Sequence, residues 1–162
     1  MATGTPATIA LARAGIAFIP HDYLARSQAD PAKGYGLEAA EALGVDPDRV
    51  FKTLLADVDG TGLVVGVVPV SASLDLKALA ACAGGKRAVM ARPEVAERRT
   101  GYVVGGISPV AQKSALPTFL DETAQLWETV YVSGGRRGFD IELAPADLLA
   151  ATSGGYADIA RW

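Results

Sequence analysis

Apolar positions along the chain follow helical spacing in some stretches and strict alternation in others, with glycine, proline and aspartate at the joints. Thr5-Pro6 followed by ATIALARAG predicts a capped helix: Thr5 suits the N-cap, Pro6 the first turn and Gly15 the stop. Residues 16–23 predict a strand. Residues 27–36 are polar, contain Pro31 and two glycines, and predict a loop; 37–43 predict a short helix closed by Gly44. Residues 50–58, VFKTLLADV, predict a strand, Asp59-Gly60 a tight turn, and 63–70 the returning strand of a hairpin. A helix begins at Ser73 or Asp75, runs to about Cys82 and ends at Gly84-Gly85. Residues 88–91 predict a short strand and 93–99 a short helix. Residues 117–121 and 129–133 are strand-like. In 139–143 apolar and acidic residues alternate, as in a half-buried strand. Residues 145–151 predict a helix and 156–160 a last strand or extended tail. Short connections between several strand pairs favour one α/β domain with a mixed, curved sheet and helices packed around it over a doubly wound parallel sheet.

The bulk composition keeps that picture and removes some chemistries. A chain of 162 residues, half of them hydrophobic and one fifth charged, suits one soluble domain with a real core. No apolar run is long enough to span a bilayer, and the start lacks the pattern of a signal peptide, so a cytoplasmic protein without membrane contact is expected. A single cysteine, Cys82, and a single histidine, His21, preclude an internal disulfide and argue against a metal hydrolase or a Ser-His-Asp or Cys-His enzyme. His21 is expected to be structural or at the surface, and Cys82 a small buried side chain. The net charge of −3 argues against a bulk electrostatic nucleic-acid binder. The basic pairs Lys86-Arg87, Arg98-Arg99 and Arg136-Arg137 are either solvated or, if they converge, a modest phosphate-reading patch.

Three segments could carry chemistry. Residues 100–109, TGYVVGGISP, hold three glycines and a proline directly after Arg98-Arg99. Such a loop is either an ordinary turn or a wall that brings backbone N–H groups close to an oxygen gaining negative charge. In VFKTLL, alternation places Val50, Lys52 and Leu54 on one face and Phe51, Thr53 and Leu55 on the other. Lys52 either snorkels to an edge or sits in a cleft, where it would hold a phosphate or a developing oxyanion. Residues 132–138, VSGGRRG, read as a hairpin turn with two arginines, followed by Asp140 on the polar face of FDIEL. Neither glycine-rich segment is a Walker motif or a dinucleotide fingerprint.

Taken together, these pieces resemble the Cys-tRNA(Pro) deacylases of the YbaK type, in the YbaK/ProRS-editing-domain family. The matching segments are Thr5-Pro6-Ala7, VFKTLL, LDLK at 74–77, RTGYVVGGISP at 99–109, LPT at 116–118, YVSGGRRG at 131–138, DIEL at 140–143 and ADIAR at 157–161, in order along almost the whole chain. The resemblance implies a single compact domain over residues 1–162, with a barrel-like mixed sheet surrounded by helices. It implies trans-editing of the 3′ end of misacylated Cys-tRNA(Pro), and of Cys-tRNA(Cys), without a cofactor or metal. The family's site residues map onto Tyr23, Lys52, Arg98, Gly101, Ser133 and Asp140. Its GxxxP-type loop maps onto Gly105, Gly106, Ile107, Ser108 and Pro109, and an aromatic of the preceding loop onto Tyr35. The segment between Tyr23 and Lys52 is a few residues longer than usual, and Tyr35 stands where phenylalanine is usual. Both fall at the expected pocket rim and bear on acyl-group preference.

The resemblance also implies a way to cleave the ester without a protein nucleophile: the cysteine thiol of the substrate attacks its own ester carbonyl and leaves as a thiolactone. Backbone N–H groups around Gly101 and the 105–109 loop would face the carbonyl oxygen. Lys52 would bind the terminal phosphate or ribose, or neutralise the oxyanion. Tyr23 and Ser133 would position the substrate, and Arg98 and Asp140 would orient it or each other. Water-mediated editing of Ala- or Ser-tRNA, a non-catalytic module docking on tRNA or prolyl-tRNA synthetase, and a small-molecule binder with a phosphate cradle remain open. A domain this small and net negative is expected to need a partner, prolyl-tRNA synthetase, to select its tRNA.

Overall fold

A computed structural model describes residues 4–24 and 34–162. The elements in chain order are α1 (Pro6–Arg13), β1 (Ile19–Asp22), α2 (Gly34–Leu43), β2 (Phe51–Val58), β3 (Gly62–Pro69), β4 (Ser73–Leu74), α3 (Leu76–Cys82), β5 (Ala88–Met90) and α4 (Pro93–Thr100). They continue with β6 (Thr118–Asp121), a 3₁₀ turn over Glu122–Leu126, β7 (Val130–Arg136), β8 (Phe139–Leu143), α5 (Pro145–Thr152), β9 (Gly155–Ala157) and β10 (Ala160–Arg161). The helix starts follow local chemistry. Thr5 Oγ1 accepts the Thr8 N–H while Thr8 Oγ1 accepts the Thr5 N–H, a reciprocal cap with threonine at the third position. Asp75 caps α3 by accepting the Ala78 N–H.

β2 and β3 form the predicted hairpin, paired over eight residues from Phe51↔Pro69 to Val58↔Gly62. It is the centre of a five-stranded sheet of order β5-β2-β3-β6-β9, with β6 parallel to β3 and β9 parallel to β6. A second sheet, β1-β8-β7, is antiparallel and joins the first through a parallel bridge between Val50 and Tyr131. The mixed, curved arrangement with helices around it is the one expected. Phe51, Leu55, Val65, Val67, Leu120, Val132, Phe139 and Ile141 share the main core with Ala7 and Leu11 of α1 and Ala96 of α4. Leu54, Ala56, Val58, Val64 and Val68 pack on the other face of β2 and β3 against Leu79 and Ala80 of α3. The β2 alternation is therefore real, but both faces are covered.

Several expectations are corrected. β1 is shorter than 16–23, and α2 begins at Gly34; residues 27–33 of the expected loop lie outside the described residues. The Ser133-Gly134-Gly135 segment is not the hairpin tip. β7 runs through it to Arg136 with an irregularity in its pairing to β8, and the turn is at Arg137-Gly138. Glycine permits this: a side chain on Gly134 would lie 2.4 Å from the Phe139 ring, and Gly135 has φ 115°. β8 is not half-buried, because Asp140 on its polar face is only 5% exposed. The final strand is two short ones, and Cys82 is exposed because Leu79 and Ala80 carry the buried face of α3. Among the described residues no helix is long and apolar enough to cross a membrane.

Candidate functional site

The cavity of interest, about 340 Å³, lies in a wedge beside β2. β3 pairs with one edge of β2 along its whole length, whereas β5 pairs with the other edge only at Ala56–Val58. β7 meets that edge only at Val50 before its irregularity at Ser133 and Arg136. Between those contacts the edge is left to a cavity closed by α2, the start of α4 and the 105–109 loop. Its volume falls in the usual range for small-ligand sites, roughly 300–1,000 Å³.

Lys52 lines this cavity half-buried, so the cleft reading holds and the snorkelling one does not. Its ammonium has no ion pair or hydrogen-bond partner among the described residues, and desolvation alone lowers its pKa. Ser133 and Asp140 are directly opposed in the β7–β8 ladder, so both side chains rise from one sheet face into the cavity. Ser133 Oγ accepts the Gly135 N–H. Burial pushes the Asp140 carboxyl up to about 7. Tyr23 joins them; its N–H donates to Gly138 O, and burial, then the neighbouring Asp140 charge, push its phenol up to about 12. Gly105, at φ 91°, and Ile107 complete that wall.

Other expected site residues stand elsewhere. Gly101 ends α4 in the left-handed conformation at φ 80°, is exposed, and donates its N–H to Glu97 O. Gly106 donates its N–H to Val103 O and is buried against Arg136 and Arg137. Neither N–H is available to a substrate oxygen, which corrects the expected donor set. Ser108 and Pro109 are buried and anchor the loop, with Ser108 Oγ accepting the Val110 N–H and Tyr102 Oη donating to Val110 O. Arg98 is exposed on α4 and does not line the cavity; burial alone raises Asp140, so the expected Arg98–Asp140 pair is not formed. Tyr35 falls in the first turn of α2, and its side chain lies outside the described residues. Arg136 pairs with Asp22, Arg137 with Glu38, and Arg99 Nε donates to Ser114 Oγ. His21 hydrogen-bonds Glu142 at 2.9 Å, as befits a structural histidine.

Sequence reasoning missed the apolar lining from Leu37, Met90, Ala91, Pro93 and Val104. These come from separate elements that only the fold brings together. Among the described residues no three His, Cys, Asp or Glu side chains converge to hold a metal ion. Among the described residues the lining offers one unpaired cation, one carboxyl with a raised pKa, the hydroxyls of Tyr23, Thr53 and Ser133, and neither thiol nor imidazole.

Asp140 makes stability depend on pH. In the unfolded chain its carboxyl ionises near the ordinary value of about 3.9, whereas in the folded protein it keeps its proton up to about pH 7. Its contribution is complete below about pH 4, declines as pH rises to about 7, and is level above that. Asp140→Asn cannot ionise and should remove the decline. We expect the variant to gain roughly 2–4 kcal/mol relative to the parent between pH 4 and pH 8. Denaturant unfolding of both proteins at the two pH values checks this; equal differences at both would refute it.

Comparison with known proteins identifies the family. The model of the aminoacyl-tRNA editing domain matches residues 30–151. An Enterococcus faecalis protein, EbsC, named as a candidate Cys-tRNA(Pro)/Cys-tRNA(Cys) deacylase, is 45% identical over 120 residues, 74% of this chain and 73% of its own. A proline–tRNA ligase of Maridesulfovibrio salexigens is 34% identical over 110 residues, 68% of this chain but 18% of the ligase. A crystal structure described as a candidate trans-editing enzyme for prolyl-tRNA synthetase superposes with a TM-score of 0.80 at 25% identity, covering 99% of this chain and 100% of that one. The hypothetical protein APE2540 superposes at 0.83 with 27% identity, covering 97% and 100%. The chain belongs to the aminoacyl-tRNA editing domain family.

Proposed function

We propose that the domain is a trans-editing aminoacyl-tRNA deacylase that removes cysteine from Cys-tRNA(Pro), and also from Cys-tRNA(Cys), in the cytoplasm beside prolyl-tRNA synthetase. The observation that carries this reading is the cavity: apolar, sized for a small acyl group, holding an ammonium on Lys52 that is unpaired among the described residues, and no thiol or imidazole nucleophile. The name of the E. faecalis relative and the description of the solved structure support the same substrate class.

A substrate that brings its own nucleophile suits such a cavity. The cysteine sulfur attacks the ester carbonyl, the C–S bond forms as the C–O bond breaks, and the thiol proton ends on the ribose oxygen. The products are cysteine thiolactone and free tRNA. Holding the chain in the reactive bend provides most of the acceleration, because effective molarities of oriented intramolecular attack reach about 10⁵–10⁸ M. Lys52 neutralises the oxyanion, while Tyr23 and Ser133 hold the acyl group and ribose.

One observation favours a second reading. A carboxyl with a pKa of about 7 inside the cavity is suited to act as a general base toward water, which would release free amino acid. Mixing the protein with Cys-, Ser- and Ala-tRNA(Pro), with and without prolyl-tRNA synthetase, separates the two. We expect deacylation of the cysteinyl substrate alone, with thiolactone as the first product and faster turnover when the synthetase is present. Free cysteine as the first product, or comparable Ser and Ala deacylation, would establish the water route.

A further inference from the structure

The backbone of β2 points in a definite way. Val70 N–H donates to Val50 O, so the polar groups of Val50, and by the two-residue period those of Lys52 and Leu54, face β3. Leu55 O instead accepts the Ala91 N–H on the opposite edge, so the N–H and C=O of Thr53 face that opposite edge too. Val65 N–H donates away from β2, to Pro117 O, which agrees with this phase across the Leu55↔Val65 pair.

Neither neighbouring strand is paired with Thr53 on that edge. The parallel bridge to β7 is at Val50, and the pairing to β5 starts at Ala56. Thr53 lines the cavity, and its Oγ1 is also buried without a hydrogen-bond partner among the described residues. Buried polar groups left in this state are uncommon, and a strand edge ending in a cavity is a ready donor–acceptor site. The N–H groups of Gly101 and Gly106 are already committed within the protein. The adjacent Lys52 brings to the same cavity a positive charge that has no partner among the described residues.

We infer that the open edge of β2 at Thr53 is part of the oxyanion site: the Thr53 N–H donates to the ester carbonyl oxygen as it gains charge, with Lys52 beside it. This inference rests on the deacylase reading above. A rigid strand amide flanked by laddered neighbours is held in place before the substrate arrives, which is what such a donor needs.

Two measurements test it. In the free protein the Thr53 amide should exchange with solvent at least ~10²-fold faster than those of Lys52 and Leu54, and the amide-linked analogue of cysteinyl-adenosine should slow it. Introducing the α-hydroxy acid equivalent of threonine at position 53 turns that amide into an ester, which deletes the N–H and weakens the Lys52 carbonyl as an acceptor in the β2–β3 ladder. Because no ladder uses this N–H, the melting temperature should shift by no more than a few degrees. The kcat for Cys-tRNA(Pro) should fall by about 10²–10³-fold with KM nearly unchanged. An ester variant as active as the parent, or a Thr53 amide as protected as that of Lys52, overturns the role. A parent protein that deacylates none of the three substrates overturns the deacylase reading, and this role with it.

Discussion

Lys52→Ala is expected to lower deacylation of Cys-tRNA(Pro) by about 10²–10³-fold, the scale on which loss of one oxyanion-stabilising group is felt. Lys52 reaches the cavity half-buried from a strand that β3 ladders along one whole edge, with no carboxylate partner among the described residues to compete for its charge. A cation in that state interacts strongly with a charge that develops beside it, because little solvent screens the pair. Lys52→Arg should recover only part of the activity, since a planar guanidinium is bulkier and aims its donors differently. Lys52→Met separates the site from the fold. It keeps the chain length and removes a charge that burial disfavours, so it should melt at or above the temperature of the parent while being equally inactive as the alanine variant. Retention of more than a third of parental kcat/KM by Lys52→Ala would remove this residue from the chemistry.

Gly106→Ala should damage the site through the fold. A Cβ at Gly106 would lie 2.7 Å from the Cα and carbonyl carbon of Arg136 and 2.8 Å from the nitrogen of Arg137. These are backbone atoms of the turn joining β7 to β8, so no side-chain rotation relieves the clash. The two chains must part, at roughly 1–3 kcal/mol, which for a domain of this size lowers the melting temperature by about 2–12 °C. The same separation would carry Gly105 and Ile107 away from Ser133 and Asp140 across the cavity. Activity should therefore fall even at temperatures where the variant is fully folded. Thermal unfolding and deacylation at 20 °C check both parts. A variant that melts with the parent would show that this contact is looser than the distances indicate.

Much of the fold was legible because it is written locally. The β2–β3 hairpin follows from alternation around Asp59-Gly60, and the α1 and α3 starts from Thr5 and Asp75. The same alternation singled out Lys52. What escaped depends on long-range packing. The glycines at 134 and 135 look like a turn, yet they admit Phe139, Thr5 and Tyr102, so the strand continues through them. Asp140 reads as the solvent face of an alternating strand, and only its coverage by other elements makes it a buried acid. Gly101 and Gly106 read as substrate donors because glycine density signals close approach, but it does not say what approaches. Here one serves a helix end and the other a neighbouring turn. Thr53 gave no signal, since an open strand edge exists only once the partners of β2 have diverged.

The pairing of β1 with β8 joins Ile19–Asp22 to Phe139–Glu142, and Thr5, the cap of α1, donates its hydroxyl hydrogen to Gly134 O. On the ribosome, the first strand therefore emerges long before its partner. The β2–β3 hairpin can close as soon as Pro69 is free, but the wall holding Tyr23, Ser133 and Asp140 must wait for the last quarter of the chain. A nascent or truncated product lacking β8 would carry the lysine of β2 without the opposing wall, and so could not edit the pool that is translating it.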